Sequence, residues 1–385
     1  MSKLEELIQQ YCPDGVEWKT LKAVLKIKNG RDYKHLGKGP IPVYGSGGIM
    51  TYVNAPMYTK PSVLIPRKGS IDKLYYVDTP FWNVDTVFYT EMDTAQVVEK
   101  YVYYVLQKEH LERLNTAGGV PSLTQSVLNE VLIPVPPLPV QEEIVRILDA
   151  FTELQAELQA ELQKRKQQYN YYLDNLLNFK NINRGGYQAE VRWMKMSEVA
   201  SFTYGYTSKA QDLGNVRYIR ITDITDKGQL NPKNGKYVSL TEEVRPYLLK
   251  KGDLIMARTG ATYGKTLYYN EDYPSAYASF LIKITLNQLV DSKYYWHFTR
   301  SSIYWEQANR LVGGGAQPQF NTGAISQVII PLPSLEEQNR IVFILDRFDR
   351  LTNDLTSGLP AEIEKRRQQY EFYRDKLLTF KRKEA

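Results

Sequence analysis

The sequence predicts an α+β protein: two mostly β domains and two long helices, following one another as globular, helix, globular, helix. Three observations lead there. First, a proline-led stretch occurs twice. Pro134, Pro136 and Pro137 precede Gln141–Glu142–Glu143 and Ile144–Val145–Arg146–Ile147–Leu148–Asp149, and Pro331 and Pro333 precede Glu336–Glu337–Gln338 and Ile341–Val342–Phe343–Ile344–Leu345–Asp346. Self-similarity of this kind decides the architecture before any local assignment does. Second, apolar residues in both copies recur at three- and four-residue steps, the spacing of one helix face. Third, the segments before each copy are short apolar runs broken by turns, the pattern of β structure.

The first long helix carries its stripe on Ile144, Leu148, Phe151, Leu154, Leu158, Leu162, Tyr169, Leu173 and Leu176. The second carries Ile341, Leu345, Phe348, Leu351, Leu355, Ile363, Tyr370, Tyr373 and Leu377. A stripe this long needs a partner, and the other copy is the obvious one, as a coiled coil. About 40 residues at 1.5 Å each give a helix of roughly 60 Å. The alternative is two core helices of a globular domain; the highly charged polar faces argue against it. Lys164–Arg165–Lys166–Gln167–Gln168–Tyr169 matches Lys365–Arg366–Arg367–Gln368–Gln369–Tyr370, with four extra residues in the second copy around Ser357–Gly358–Leu359–Pro360. Gly358 and Pro360 should break or kink that helix.

In the first domain, residues 2–11 form a short helix with Ser2 and Glu5 spaced as a capping box. Strands are expected at Ile41–Tyr44, Ser62–Ile65, Lys73–Val77 and Thr86–Tyr89, then a helix from Gln96 to Leu114 and a glycine loop at Gly118–Gly119–Val120–Pro121. The pattern then restarts. Val191, Trp193, Met196, Val199 and Gly205 repeat Val16, Trp18, Leu21, Val24 and Gly30. Leu254–Ile255–Met256–Ala257–Arg258–Thr259–Gly260 echoes Val63–Leu64–Ile65–Pro66–Arg67–Lys68–Gly69. A helix from Ser292 to Asn309 and the loop Gly314–Gly315–Ala316–Gln317–Pro318 complete the parallel, and Asn183–Arg184–Gly185–Gly186 links the halves. The domains therefore divide as 1–137, helix and linker 138–186, second domain 187–332, and second helix 333–385. One chain imitates a two-fold dimer whose helices match closely and whose globular parts share only a framework.

Composition narrows the function. The 385-residue chain has a net charge of +6, mildly basic, which permits nucleic-acid binding. One cysteine, Cys12, excludes an internal disulfide and argues for a reducing compartment. The first residues lack a signal-peptide core and no apolar run reaches membrane-spanning length, so a cytoplasmic protein without a membrane role is expected.

Catalytic motifs fail one by one. Asp14 and Glu17 are too close in sequence to converge as strand-borne metal ligands. Gly45–Ser46–Gly47–Gly48 lacks the spacing and lysine of a phosphate loop, and reads as a sharp turn presenting Ser46 outward. His35, His110, His297 and Cys12 cannot assemble a zinc cluster. Asn231–Pro232–Lys233–Asn234 lacks the aromatic of an amino-methyltransferase motif, and no Walker sequence is present.

Recognition remains. Arg31, Lys34, Lys38, Arg67, Lys68 and Lys73 lie in or beside turns of the first domain; Lys209, Arg217, Arg220, Lys227, Arg258 and Lys265 do so in the second. Such residues contact phosphates, and arginine also reads guanine edges. Thr259, Tyr263, Gln317 and Gln319 add base-reading groups. The matched Arg67 and Arg258, each before a small turn, are the foremost pair, with a framework role as the alternative. The repeated helices offer equivalent surfaces to two copies of one partner, through Gln168, Tyr169 and Tyr172 and through Gln369, Tyr370 and Tyr373.

Taken together, the chain resembles the specificity (S) subunit of type I restriction–modification systems over nearly its whole length. The carriers are Pro13–Asp14–Gly15–Val16–Glu17–Trp18, Val43–Tyr44–Gly45–Ser46–Gly47–Gly48, Pro134 through Gln141, and the paired helices. The subgroup with tetrapeptide repeats is closest, because Ala156–Glu157–Leu158–Gln159 recurs as Ala160–Glu161–Leu162–Gln163. The resemblance implies two target recognition domains on double-stranded DNA, each reading half of a bipartite site, and an antiparallel coiled coil setting the gap. It implies two methyltransferase (M) subunits that bring S-adenosylmethionine and flip the target adenine. It also implies restriction (R) subunits that bring the nuclease, ATP and Mg2+. No catalytic residue, metal or cofactor is then expected in this chain. The rivals are a coiled-coil scaffold that binds proteins and a stand-alone methyltransferase or nuclease.

Overall fold

The computed structural model describes residues 3–115, 118–179, 191–313, 318–354 and 357–384. Ser2, Leu355, the link at Asn183–Gly186 and the loop Gly314–Gln317 lie outside them. The chain divides into two compact units, Met1–Glu157 with Ile363–Ala385, and Leu158–Glu362. The boundaries cut both long helices, so each unit contains a globular part and a piece of each helix. Among the described residues no helix is long and apolar enough to cross a membrane.

In the first unit an antiparallel sheet runs Leu25–Asn29, Val87–Met92, Ser62–Pro66, Tyr75–Val77. A second sheet runs Gly48–Val53, Ile41–Gly45, Trp82–Asn83, its last pair parallel. Glu17–Thr20 pairs with Leu132–Val135, placing Trp18 opposite Pro134. The Ser62–Pro66 strand is buried throughout, as a central apolar strand must be, whereas Leu25–Asn29 alternates at its start. The expected helix over Gln96–Leu114 is shorter, Glu99–Glu109, because His110 turns left-handed (φ 50°) and a 3-10 turn follows.

The second unit repeats this topology. Its four-stranded sheet runs Ala200–Tyr204, Leu281–Leu286, Leu254–Ala257, Thr266–Tyr268. Its three-stranded sheet runs Tyr237–Val238, Val216–Ile219, Ser275–Tyr277, again with one parallel pair. Arg192–Lys195 pairs with Ile329–Leu332, and Trp193 faces Pro331. Gly30 and Gly205 have the same cause in both units: a Cβ there would stand 2.1 Å from the Val84 carbonyl oxygen or 2.2 Å from that of Ala278. The helix expected over Ser292–Asn309 is two helices, Ser292–Phe298 and Ser302–Leu311. Ser301 separates them: its Oγ accepts from Tyr304 N and starts the second.

The first long helix spans Leu138–Leu177, 40 residues without a break. The second is interrupted, Leu335–Asn353 and then Leu359–Leu377. The break falls at Gly358, where a Cβ would lie 2.5 Å from the Arg350 carbonyl oxygen, and Pro360 sits at the second residue of the new helix, where its missing N–H costs nothing. In the first unit Phe151 stacks on Tyr373, with ring centroids 5.4 Å apart; in the second Tyr172 stacks on Phe348 at 5.2 Å. Later residues of one helix thus meet earlier residues of the other, the antiparallel sense.

The proline-led motif is a clamp. Gln141 Oε1 accepts from Val98 N at 2.8 Å, and its Nε2 donates to the carbonyls of Gln96 and Pro136. Gln338 does the same with Asp291 N and the carbonyls of Leu289 and Pro333. Both amides are fully buried. Each satisfies a helix start and ties the long helix to its globular part. Gln141 therefore corresponds to Gln338.

Candidate nucleic-acid interface

In each unit a basic turn follows the central strand. Arg67 follows Ser62–Pro66, and Gly69 then turns at φ 79°. Arg258 follows Leu254–Ala257, and Gly260 turns at φ 72°. The left-handed backbone explains both glycines. Each turn is pinned by the segment after the glycine-rich loop: Gly69 N donates to Pro121 O and Leu123 N to Arg67 O, while Gly260 N donates to Pro318 O and Phe320 N to Arg258 O.

The arginine heads are positioned by rings. The Arg67 guanidinium lies 5.4 Å from the Phe88 ring centre, and its Nη1 donates to Asn29 Oδ1 at 3.3 Å. The Arg258 guanidinium sits between Tyr204 (5.2 Å) and Phe280 (5.5 Å), and its Nε donates to Ser279 O. Stacking fixes the plane of the fork. Arginine carries five N–H donors, so most of each fork has no described partner within the protein. In the first unit Ser46 stands beside this turn: its Oγ would lie 3.4 Å from a Cβ on Gly69, and Tyr75 Oη donates to its carbonyl. Lys68 is exposed. In the second unit Thr259 is buried and receives Gln319 Nε2 on its Oγ1 at 3.4 Å, while Gln319 itself is exposed. The Tyr263 hydroxyl is engaged by Asn309 Oδ1 at 2.6 Å.

The other expected residues scatter. Arg31, Lys34, Lys38, Lys73 and Lys209 are exposed in loops. Arg217 is corrected: it is buried at 6% exposure on a wholly buried strand, donates to Asn231 O, and stands against Tyr273. Arg220 is held by buried Asp223 through Nε and Nη2, at 3.1 and 3.0 Å. Both arginines brace loops. Lys227 and Lys265 line a separate cavity. Gln317 lies outside the described residues.

On the helices, Tyr169 is buried and lies against Arg300 and His297, and the Tyr370 hydroxyl bonds Gln107 Oε1 at 2.9 Å. Tyr169 is thus enclosed in the second unit, which argues against its contacting an outside partner, whereas Tyr370 is only partly buried. Gln168 and Gln369 each accept from an arginine one turn back, Arg165 and Arg366. Tyr172 and Tyr373 are only partly free, being stacked on Phe348 and Phe151. Their neighbours Tyr171 (67% exposed) and Phe372 (63%) are open, as is Phe343 earlier on the second helix (63%). Helical period could have pointed to Tyr171 and Phe372, since each stands two residues past a tyrosine of the apolar stripe. Ile49, Met50 and Tyr52 are also exposed, on the hairpin beside Ser46, where nothing in the residue types marks them out.

The geometry defines a duplicated protein with one fixed basic turn per unit. A family model described as the type I restriction modification DNA specificity domain matches residues 13–165 and 188–365. The chain belongs to that family. It is 32% identical over 398 residues to a Haemophilus influenzae chain named as a type I restriction enzyme specificity subunit, covering 98% of each. It is 32% identical over 425 residues to the specificity subunit of an Escherichia coli type I restriction enzyme, covering 100% of this chain and 98% of that one. Among solved structures, the S subunit of a type I restriction–modification system from M. genitalium superposes with a TM-score of 0.61 at 16% identity, over 94% of this chain and 96% of that one. A chain from a structure of type I system assembly and conformational transition gives 0.59 at 16% identity, over 95% and 98%.

Proposed function

We propose that this chain is the DNA sequence-specificity subunit of a type I restriction–modification complex, with each unit reading one half of a bipartite, asymmetric site. The observation that carries the reading is the duplicated turn: Arg67 and Arg258 occupy one framework position, held by the same backbone bonds, while the surrounding side chains differ. Equal frames with unequal loops give two readers of different sequence. The long helices set the distance between half-sites and dock two methyltransferase subunits, with Tyr171 and Phe372 as matched aromatic anchors. Restriction subunits join the same complex. The chain is not itself catalytic; S-adenosylmethionine, ATP and Mg2+ belong to the partners.

The test is a pair of substitutions. Arg67→Ala should relax one position in one half-site, and Arg258→Ala one position in the other, each at a cost of about 1–3 kcal/mol in specific binding. Binding of the assembled complex to a library randomised at both half-sites reads this out. Loss of discrimination in the same half-site for both variants, or in neither, refutes the assignment.

A further inference from the structure

The second unit contains a cavity of about 340 Å³ lined by Lys166, Tyr169, Lys227, Lys265, Arg300 and Trp305, among others. That is near the lower end of small-molecule sites, which run roughly 300–1,000 Å³. Four cations face it. Lys265 pairs with Asp226, which is itself 89% exposed, and Arg300 pairs with Asp349 at 2.8 Å. Lys166 and Lys227 have no ion-pair partner among the described residues. Arg300 Nη1 is buried without a hydrogen-bond partner, although the guanidinium is clamped 4.5 Å from the Trp296 ring centre and 5.1 Å from that of Tyr169. The Lys227 ammonium is pushed below its ordinary pKa, first by burial and then by the charge of Lys166, with Arg300 adding to this and Asp349 opposing it.

None of this belongs to the shared framework. In the first unit Gln107 stands at the position of Arg300 and Thr152 at that of Asp349. Gln107 is satisfied on both sides, donating to the Tyr103 hydroxyl and accepting from Tyr370. The residue matching Lys166 is Arg367, which is paired with both Glu364 and Glu371. The cations have accumulated in one unit only; Asp226, which also lines the cavity, and Asp349 pair with two of the four, and Lys166 and Lys227 have no ion-pair partner among the described residues.

We infer that this cavity is a binding site for a phosphate group, held between Lys166, Lys227 and Lys265 with Arg300 behind them. A tetrahedral dianion satisfies several point charges at once and accepts from the arginine fork, which a single carboxylate does less well. The group is either a phosphate of a DNA strand or a free phosphate ester.

Calorimetric titration of inorganic phosphate into the full chain, against chloride at equal ionic strength, tests this. Saturable binding should weaken roughly tenfold for Lys166→Gln and for Lys227→Gln, the effect of one charge-assisted hydrogen bond. Lys227→Arg should retain binding and Lys26→Gln should leave it unchanged. Thermal melting of each variant separates lost binding from lost folding. The second arm measures DNA affinity against salt. If the phosphate is supplied by DNA, inorganic phosphate competes with the duplex and each Lys→Gln variant lowers the salt slope by about one. If the ligand is free, phosphate still binds the DNA-saturated protein and the slope is unchanged. Phosphate binding indifferent to both substitutions, or no phosphate binding with an unchanged salt slope, overturns the inference. The phosphate arm does not depend on the DNA-reading proposal.

Discussion

Equivalent residues of the two units differ most tellingly where Tyr104 of the first is His297 of the second. Tyr104 Oη donates to Asp149 Oδ1 at 2.5 Å, with Lys100 on the same carboxylate; His297 Nε2 meets Asp346 Oδ1 at 2.9 Å, with Lys293 on the same carboxylate. An ionised aspartate only accepts, so His297 carries its proton on Nε2 and Nδ1 faces the Tyr169 hydroxyl. The ring is fully buried, and its pKa is depressed by that burial and by Arg300, against the pull of Asp346 and Asp349. A histidine with a depressed folded pKa leaves the unfolded chain binding the proton first. Stability is therefore full above the unfolded value of about 6.5 and falls as pH drops below it, by up to about 1.4 kcal/mol per pH unit. The chain should melt lower at pH 5.5 than at pH 7.5, and His297→Gln should narrow that difference. An equal difference in the variant would show that the acid sensitivity arises elsewhere. The histidine was visible in the sequence, but its burial was not. The same holds for Arg217: Val216–Arg217–Tyr218–Ile219 gives no sign that the arginine runs inside. The turn positions of Arg67 and Arg258 were legible because each follows a repeated strand and precedes a turn glycine.

Among elements, the unbroken Leu138–Leu177 helix was readable from its stripe, and the Gly358 interruption from its residue types. What the stripe could not show is that its far end belongs to the other globular part. Tyr169, Leu173 and Leu177 join the core of the second unit, while Leu377, Leu378 and Phe380 pack with Val16 and Leu21 in the first. Gly15, at φ 101°, lets the chain end pass: Val16 N donates to Lys381 O, and Lys383 N donates to Val16 O. Pro13–Asp14–Gly15 is thus a docking turn. The division of Ser292–Leu311 at Ser301 was also hidden, because both halves carry helix-compatible apolar residues. The repeated Ala-Glu-Leu-Gln segments straddle residues 157 and 158, where the first unit gives way to the second. A third repeat inserted after Gln163 adds about 6 Å of helix. It should widen the unread gap of the DNA site by one or two base pairs and leave both half-sites unchanged. Methylation mapping of the insertion variant would read the gap directly, and an unaltered gap would remove the ruler role of the helix.

At the scale of the molecule, the chain is one design used twice. Both units have the same three sheets in the same strand order, the same glutamine clamp, and the same arginine turn. Duplication was legible because helices and framework positions repeat in sequence. What each copy contacts was not, since the side chains around the shared turns diverge. The central claim is that two unlike readers on one frame specify a split DNA site. Long-read mapping of N6-methyladenine, in cells carrying this chain with a partner methyltransferase and in cells lacking this chain, tests it most directly. A new motif of two short, different halves around a fixed gap, present only with the chain, is expected. A continuous motif, or methylation that persists unchanged without the chain, would contradict it.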